Sequence, residues 1–110
     1  MAYNFVTVQG KYQDGSGNAA VGRVEWFPTN PIVDTALHVT IAPPVTQLSL
    51  DSTGMFAAVL LATDNANIGV FGWAFIPHIA GVPDDTQYMQ VKFASGATQQ
   101  LDTLPVFLFP

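Results

Sequence analysis

Between Gly22 and Asn67 short apolar runs alternate with turn signals, and the spacing of those runs is that of strands. Gly22-Arg23-Val24-Glu25-Trp26-Phe27-Pro28 puts Val24 and Trp26 on one side of an extended chain and Arg23 and Glu25 on the other. Leu48-Ser49-Leu50 leads into Asp51-Ser52-Thr53-Gly54, with Asp at the first and Gly at the last position of a tight turn. An apolar run from Met55 to Ala62 follows, then the polar loop Thr63-Asp64-Asn65-Ala66-Asn67. Strand, turn, strand, loop is the grammar of a β-sandwich.

The rest of the chain follows the same rule. No long stretch repeats apolar residues at helical spacing, and Gly and Pro interrupt often. Strands are expected over Tyr3 to Gln13, Val21 to Pro28, Ala36 to Ala42, Val45 to Leu50, Met55 to Ala62, Val70 to Ile79 and Thr86 to Ala94, with a last apolar segment from Thr98 to Pro110. Thr29 to Thr35 reads as a loop. In the third strand Leu37, Val39 and Ile41 are expected inward, with His38 and Thr40 outward. Pro43-Pro44 should break the ladder. The unbroken apolar run of Met55 to Ala62 predicts a strand covered on both faces, one by the core and one by a loop or partner. Ser95-Gly96-Ala97 reads as a hairpin turn. The expected fold is all-β: a single antiparallel β-sandwich of immunoglobulin-like or transthyretin-like type, with seven to eight strands in one domain over residues 1–110.

A chain of 110 residues can bury a core without staples, and it has no cysteine for a disulfide or a thiolate zinc site. Charged residues make up 10%, against about 25% in ordinary globular proteins, while 49% are hydrophobic. So low a charge predicts either apolar surface that a partner covers or a neutral, Thr/Gln-rich β surface. The net charge of −5, with Lys11, Arg23 and Lys92 the only cations, argues against phosphate-backbone binding and against docking on anionic membranes. The first residues lack the basic and apolar regions of a signal peptide, so synthesis in the host cytoplasm is expected.

Catalytic and metal signals are weak. His38 and His78 have no second ligand at zinc-helix spacing. Asp34, Asp51, Asp64 and the pair Asp84-Asp85 read as turn residues. Asp51 and Asp64 could meet at one end of a sandwich, but calcium wants six or more oxygens. No serine sits in a nucleophile elbow, and the glycines are turn glycines. No enzymatic activity, cofactor or metal is expected. Trp26, Phe71, Trp73 and Phe75 could stack on sugars, although alternating aromatics on strands are usually core. The closing run Pro105-Val106-Phe107-Leu108-Phe109-Pro110 is apolar on both faces. Val106, Phe107, Leu108, Phe109 and Pro110 are therefore the candidate partner interface.

The order of these signals resembles a β-sandwich module of virion proteins from phages of actinobacteria. The likeness rests on Gly22, Val24, Trp26 and Pro28; on Leu50-Asp51 with Gly54 and Phe56; on Leu60 and Ala62-Thr63-Asp64; on Gly72-Trp73; and on Leu101, Leu104, Pro105 and Val106. It implies a virion structural protein, a capsid decoration or minor capsid protein that binds the assembled shell through apolar surface and a terminal segment. The implied partners are the major capsid protein or tail proteins, with homo-oligomers expected and the virion as location. The alternative is a tail or fibre adsorption module that binds host glycans.

Overall fold

In a computed structural model that describes residues 3–42 and 47–107, nine strands form two packed sheets and one small hairpin. The strands are β1 (Phe5–Lys11), β2 (Gly22–Pro28), β3 (Ile32–Asp34), β4 (Val39–Ile41), β5 (Gln47–Ser49), β6 (Met55–Leu61), β7 (Trp73–Ile79), β8 (Gln87–Met89) and β9 (Thr98–Gln100). One sheet has the order β6-β1-β9, the other β5-β2-β7-β8, and β3 pairs with β4. The expected all-β sandwich is the observed fold.

Alternation builds the core. Val6 and Val8 of β1 and Phe56, Ala58 and Leu60 of β6 face Val24 and Trp26 of β2 and Trp73 and Phe75 of β7. Trp26 packs on Phe75 with ring centroids 4.6 Å apart, and Phe56 approaches Phe75 at 6.0 Å. Ring pairs of this kind contribute about 0.5–1.5 kcal/mol each beyond the area they bury. The Trp73 indole N–H donates to the Leu61 carbonyl at 2.9 Å and ties the two sheets together. Gly54 closes the β5–β6 turn at φ +79°, where a side chain would also strike the Tyr12 carbonyl.

Four expectations are corrected. The segment Ala36 to Ala42 is not one strand. Asp34 ends β3, and its carboxylate accepts the Ala36 and Leu37 N–H groups at 2.9 and 3.0 Å, curling the chain into a turn through His38. Leu37 and Val39 are consequently exposed, and the expected loop Thr29 to Thr35 contains β3 with Ile32 buried. Second, the strand expected over Thr86 to Ala94 stops at Met89. Thr63 exchanges hydrogen bonds with Val91, and Asp64 accepts the Phe93 and Ala94 N–H groups, so the chain leaves the sheet there. Third, no hairpin forms at Ser95-Gly96-Ala97. The chain passes through a 3-10 turn, and β9 pairs with β1 in parallel within an otherwise antiparallel sandwich. Fourth, β7 starts at Trp73; Val70 precedes it and is exposed. Pro43-Pro44 and Val45 lie outside the described residues.

Candidate docking surface

The C-terminal segment is fixed by backbone before any side chain acts. After a 3-10 turn at Leu101–Thr103 the chain runs along the outer edge of β8. The Gln90 N–H donates to the Pro105 carbonyl at 2.8 Å, and the Phe107 N–H donates to the Tyr88 carbonyl at 2.9 Å. The Gln90 side-chain amide donates to the Val106 carbonyl at 3.0 Å. Alternation then separates two of the candidate interface residues. Phe107 is 6% exposed and its ring lies over Gly72, whose missing side chain makes the space. Val106 is 67% exposed, beside a hollow of about 410 Å³ lined by Gln87, Tyr88, Met89, Leu101, Asp102 and Leu104. Leu108, Phe109 and Pro110 lie outside the described residues.

A second surface is the outer face of the β6-β1-β9 sheet, apolar along β6 and polar along β1 and β9. Met55, Ala57 and Val59 of β6 point outward, with Val59 54% exposed. Their cross-strand neighbours on β1 are Lys11, Gln9 and Thr7, and Phe5 lies beside Leu61. Thr98 and Gln100 of β9 extend the rows past Thr7 and Gln9. Among the described residues of these three strands Lys11 carries the one charge. The sequence predicts a second cover over β6; in the single chain no described loop supplies one.

The polar groups serve the fold. Asp34 is fully buried, and besides its two turn amides it accepts the Tyr3 hydroxyl at 2.7 Å. That hydrogen bond, with the Leu37 and Ala36 amides, holds its carboxyl below the usual range and raises the Tyr3 phenol. Asp51 accepts the Thr53 hydroxyl at 2.6 Å and the Thr53 and Met55 amides at 2.8 and 3.0 Å; its carboxyl is lowered too, chiefly by Thr53. Asp14 caps its own turn through Ser16 and Asn18. Among the described residues no three His, Asp or Glu side chains converge as a metal site. Arg23 lies 3.8 Å from Glu25, which also contacts His78 across β2 and β7 on the outer face.

The aromatic set is core. Trp26 and Trp73 are 1% and 0% exposed, and Phe71 and Phe75 are buried with them. None of the four offers a face to a sugar. The sequence marks Asp34 as a turn residue but not that its carboxylate carries the turn on through His38, where a strand was expected. That Gly72 makes room for the Phe107 ring was not foreseen.

No family model, no curated protein and no solved structure matches this chain. The arrangement can bury apolar surface and extend a sheet. The carboxylates of Asp14, Asp34, Asp51 and Asp64 accept backbone amides.

Proposed function

We propose that this chain is a non-enzymatic structural protein of a phage virion, of the capsid decoration or minor capsid type. It binds the assembled shell through apolar surface and its C-terminal segment. The observation that carries this is the strip along β8: backbone held in place, Phe107 turned in, and Val106 turned out beside a hollow in which Tyr88, Met89, Leu101 and Leu104 meet Gln87 and Asp102. A rigid, pre-positioned strip loses little entropy on docking. Burying a side chain the size of Val106 contributes about 1.5–3 kcal/mol. Repeated over many copies, such contacts stabilise a shell by mass action. The resemblance in sequence and the low charge support the same role.

The adsorption alternative needs an exposed ring platform. Trp26 and Trp73 are inside the sandwich, so it is the weaker reading. The test is the copy number of this chain in purified particles relative to the major capsid protein. A number comparable to the capsid protein supports lattice decoration. A few copies per particle move the chain to the tail or a vertex, and absence from particles sinks the virion role.

A further inference from the structure

The backbone groups of β6 fall into two sets. At one end the Tyr12 N–H donates to the Gly54 carbonyl, and at the other the Ala62 N–H donates to the Asn4 carbonyl. These bonds fix the phase of the ladder, so Phe56, Ala58 and Leu60 turn their amides toward β1. The alternate residues face the free edge. Met55 is occupied there, its N–H on the Asp51 carboxylate at 3.0 Å and its carbonyl accepting the Asp51 N–H at 2.9 Å. The Leu61 carbonyl is taken by Trp73. Between them Ala57 and Val59 have no hydrogen-bond partner among the described residues, for N–H or for C=O. Sheet edges are ordinarily blunted by charge, Pro or a bulge. Met-Phe-Ala-Ala-Val-Leu-Leu carries no charge and no Pro, and its register with β1 is unbroken.

We propose that β6 pairs antiparallel with β6 of a second copy, about a two-fold axis at Ala58, joining two three-stranded sheets into one. In that register Ala57 lies opposite Val59 of the second copy, and each pair exchanges N–H···O=C bonds in both directions. The four open groups of Ala57 and Val59 are related by a two-fold axis at Ala58, as an isologous contact requires, while the Leu61 N–H, also open on this edge among the described residues, lies outside the paired window. All the open N–H and C=O groups of Ala57 and Val59 are then satisfied, and the two strands part beyond them, where Asp51 keeps its place on Met55 and Trp73 on the Leu61 carbonyl. The chain carries a net charge of −5, yet this strand brings no charges into opposition. Outside the sheet, Ala57 and Val59 become cross-strand neighbours and lose exposed apolar surface. The pairing goes beyond the shell-binding role and does not depend on it.

The test is sedimentation velocity on the full chain over about a hundredfold range of concentration, with residue-resolved amide exchange by NMR. A monomer–dimer equilibrium is expected, with the Ala57 and Val59 amides protected in step with the dimer. Val59→Lys alters an exposed side chain and leaves the β1 ladder intact; it should weaken the dimer at least about tenfold through like charges across the axis. Ala57→Pro removes an outward N–H and should abolish the dimer. Tryptophan fluorescence melts establish that each variant is folded. A chain that stays monomeric, with both amides exchanging freely, overturns the proposal. A dimer whose mass neither folded variant changes overturns it as well, because its interface lies elsewhere. Protection of these amides only on adding purified particles also overturns it and assigns the edge to the shell.

Discussion

Gly72→Ala and Phe107→Ala should not be independent. The backbone at Gly72 is in a conformation open to any residue, so alanine there is opposed by contact alone. Its Cβ would meet the Phe107 ring, at 2.7 Å from both Cδ atoms. Overpacking of this kind costs about 1–3 kcal/mol. Truncating Phe107, 6% exposed, should cost about 3 kcal/mol, the low end for a buried Phe because a segment held by an isolated bridge relaxes more easily than a central strand. Were the sites independent, the double variant would lose about 5 kcal/mol. If Gly72 matters only as the floor under Phe107, the double variant loses about 3 kcal/mol, since the added methyl enters the space that the ring has left. Urea unfolding followed by the fluorescence of Trp26 and Trp73 reads this directly. At slopes of about 1–3 kcal/mol per molar urea, a 3 kcal/mol loss moves the midpoint by about 1–3 M. Additive losses would refute the shared site. An unchanged midpoint for Phe107→Ala would refute its place in the fold and return that side chain to the partner interface.

The remaining predictions are simpler. Trp73→Phe should destabilise more than Trp26→Phe by about 1–2 kcal/mol, because the first strands the buried Leu61 carbonyl while the Trp26 indole N–H has no partner among the described residues; urea midpoints of the two variants compare them. Asp34 and Asp51 have carboxyls held below the ordinary 3.8, so the stability they add is complete above that pH and is lost as pH falls through their lowered folded values. Asp34→Asn should therefore flatten the loss of stability between neutral pH and pH values below 3.8, read as urea midpoints across a pH series. Gly54→Ala should cost at least about 1 kcal/mol, from positive φ together with the Tyr12 carbonyl, by the same unfolding assay.

The long strands were legible because alternation is a local signal. Val6 and Val8, Val24 and Trp26, and Phe56, Ala58 and Leu60 each mark one face without reference to the rest of the chain. The short elements were not, because tertiary hydrogen bonds decide them. Leu37, Val39 and Ile41 alternate as well as any strand. The buried carboxylate of Asp34, anchored by Tyr3 from 31 positions earlier, overrides that pattern and makes a turn. β8 ends early for the same reason: Thr63 and Asp64 capture the chain at Val91 and Phe93, a contact across about 30 positions. The interface candidates were legible as composition and not as direction. Whether Val106 or Phe107 faces outward depends on the phase of its bridge to Met89, and period-two patterns fix faces only once the partner strand is known.

The parallel pairing of β9 with β1 bears on how the chain reaches this state. β1 is the middle strand of its sheet, and one of its neighbours comes from the far side of a 91-residue separation, as in the Gln100 to Gln9 side-chain bond. Closing so long a loop precedes any reward from the contacts it brings, which places such topologies among the slower two-state folders, at milliseconds to seconds. During synthesis, β1 and β6 can pair as soon as Leu61 has emerged, but the other edge of β1 stays open until Gln100 is made. Between the emergence of Leu61 and that of Gln100 the chain therefore exposes an open edge of β1 next to an apolar face, and its yield depends on what that edge meets before β9 arrives.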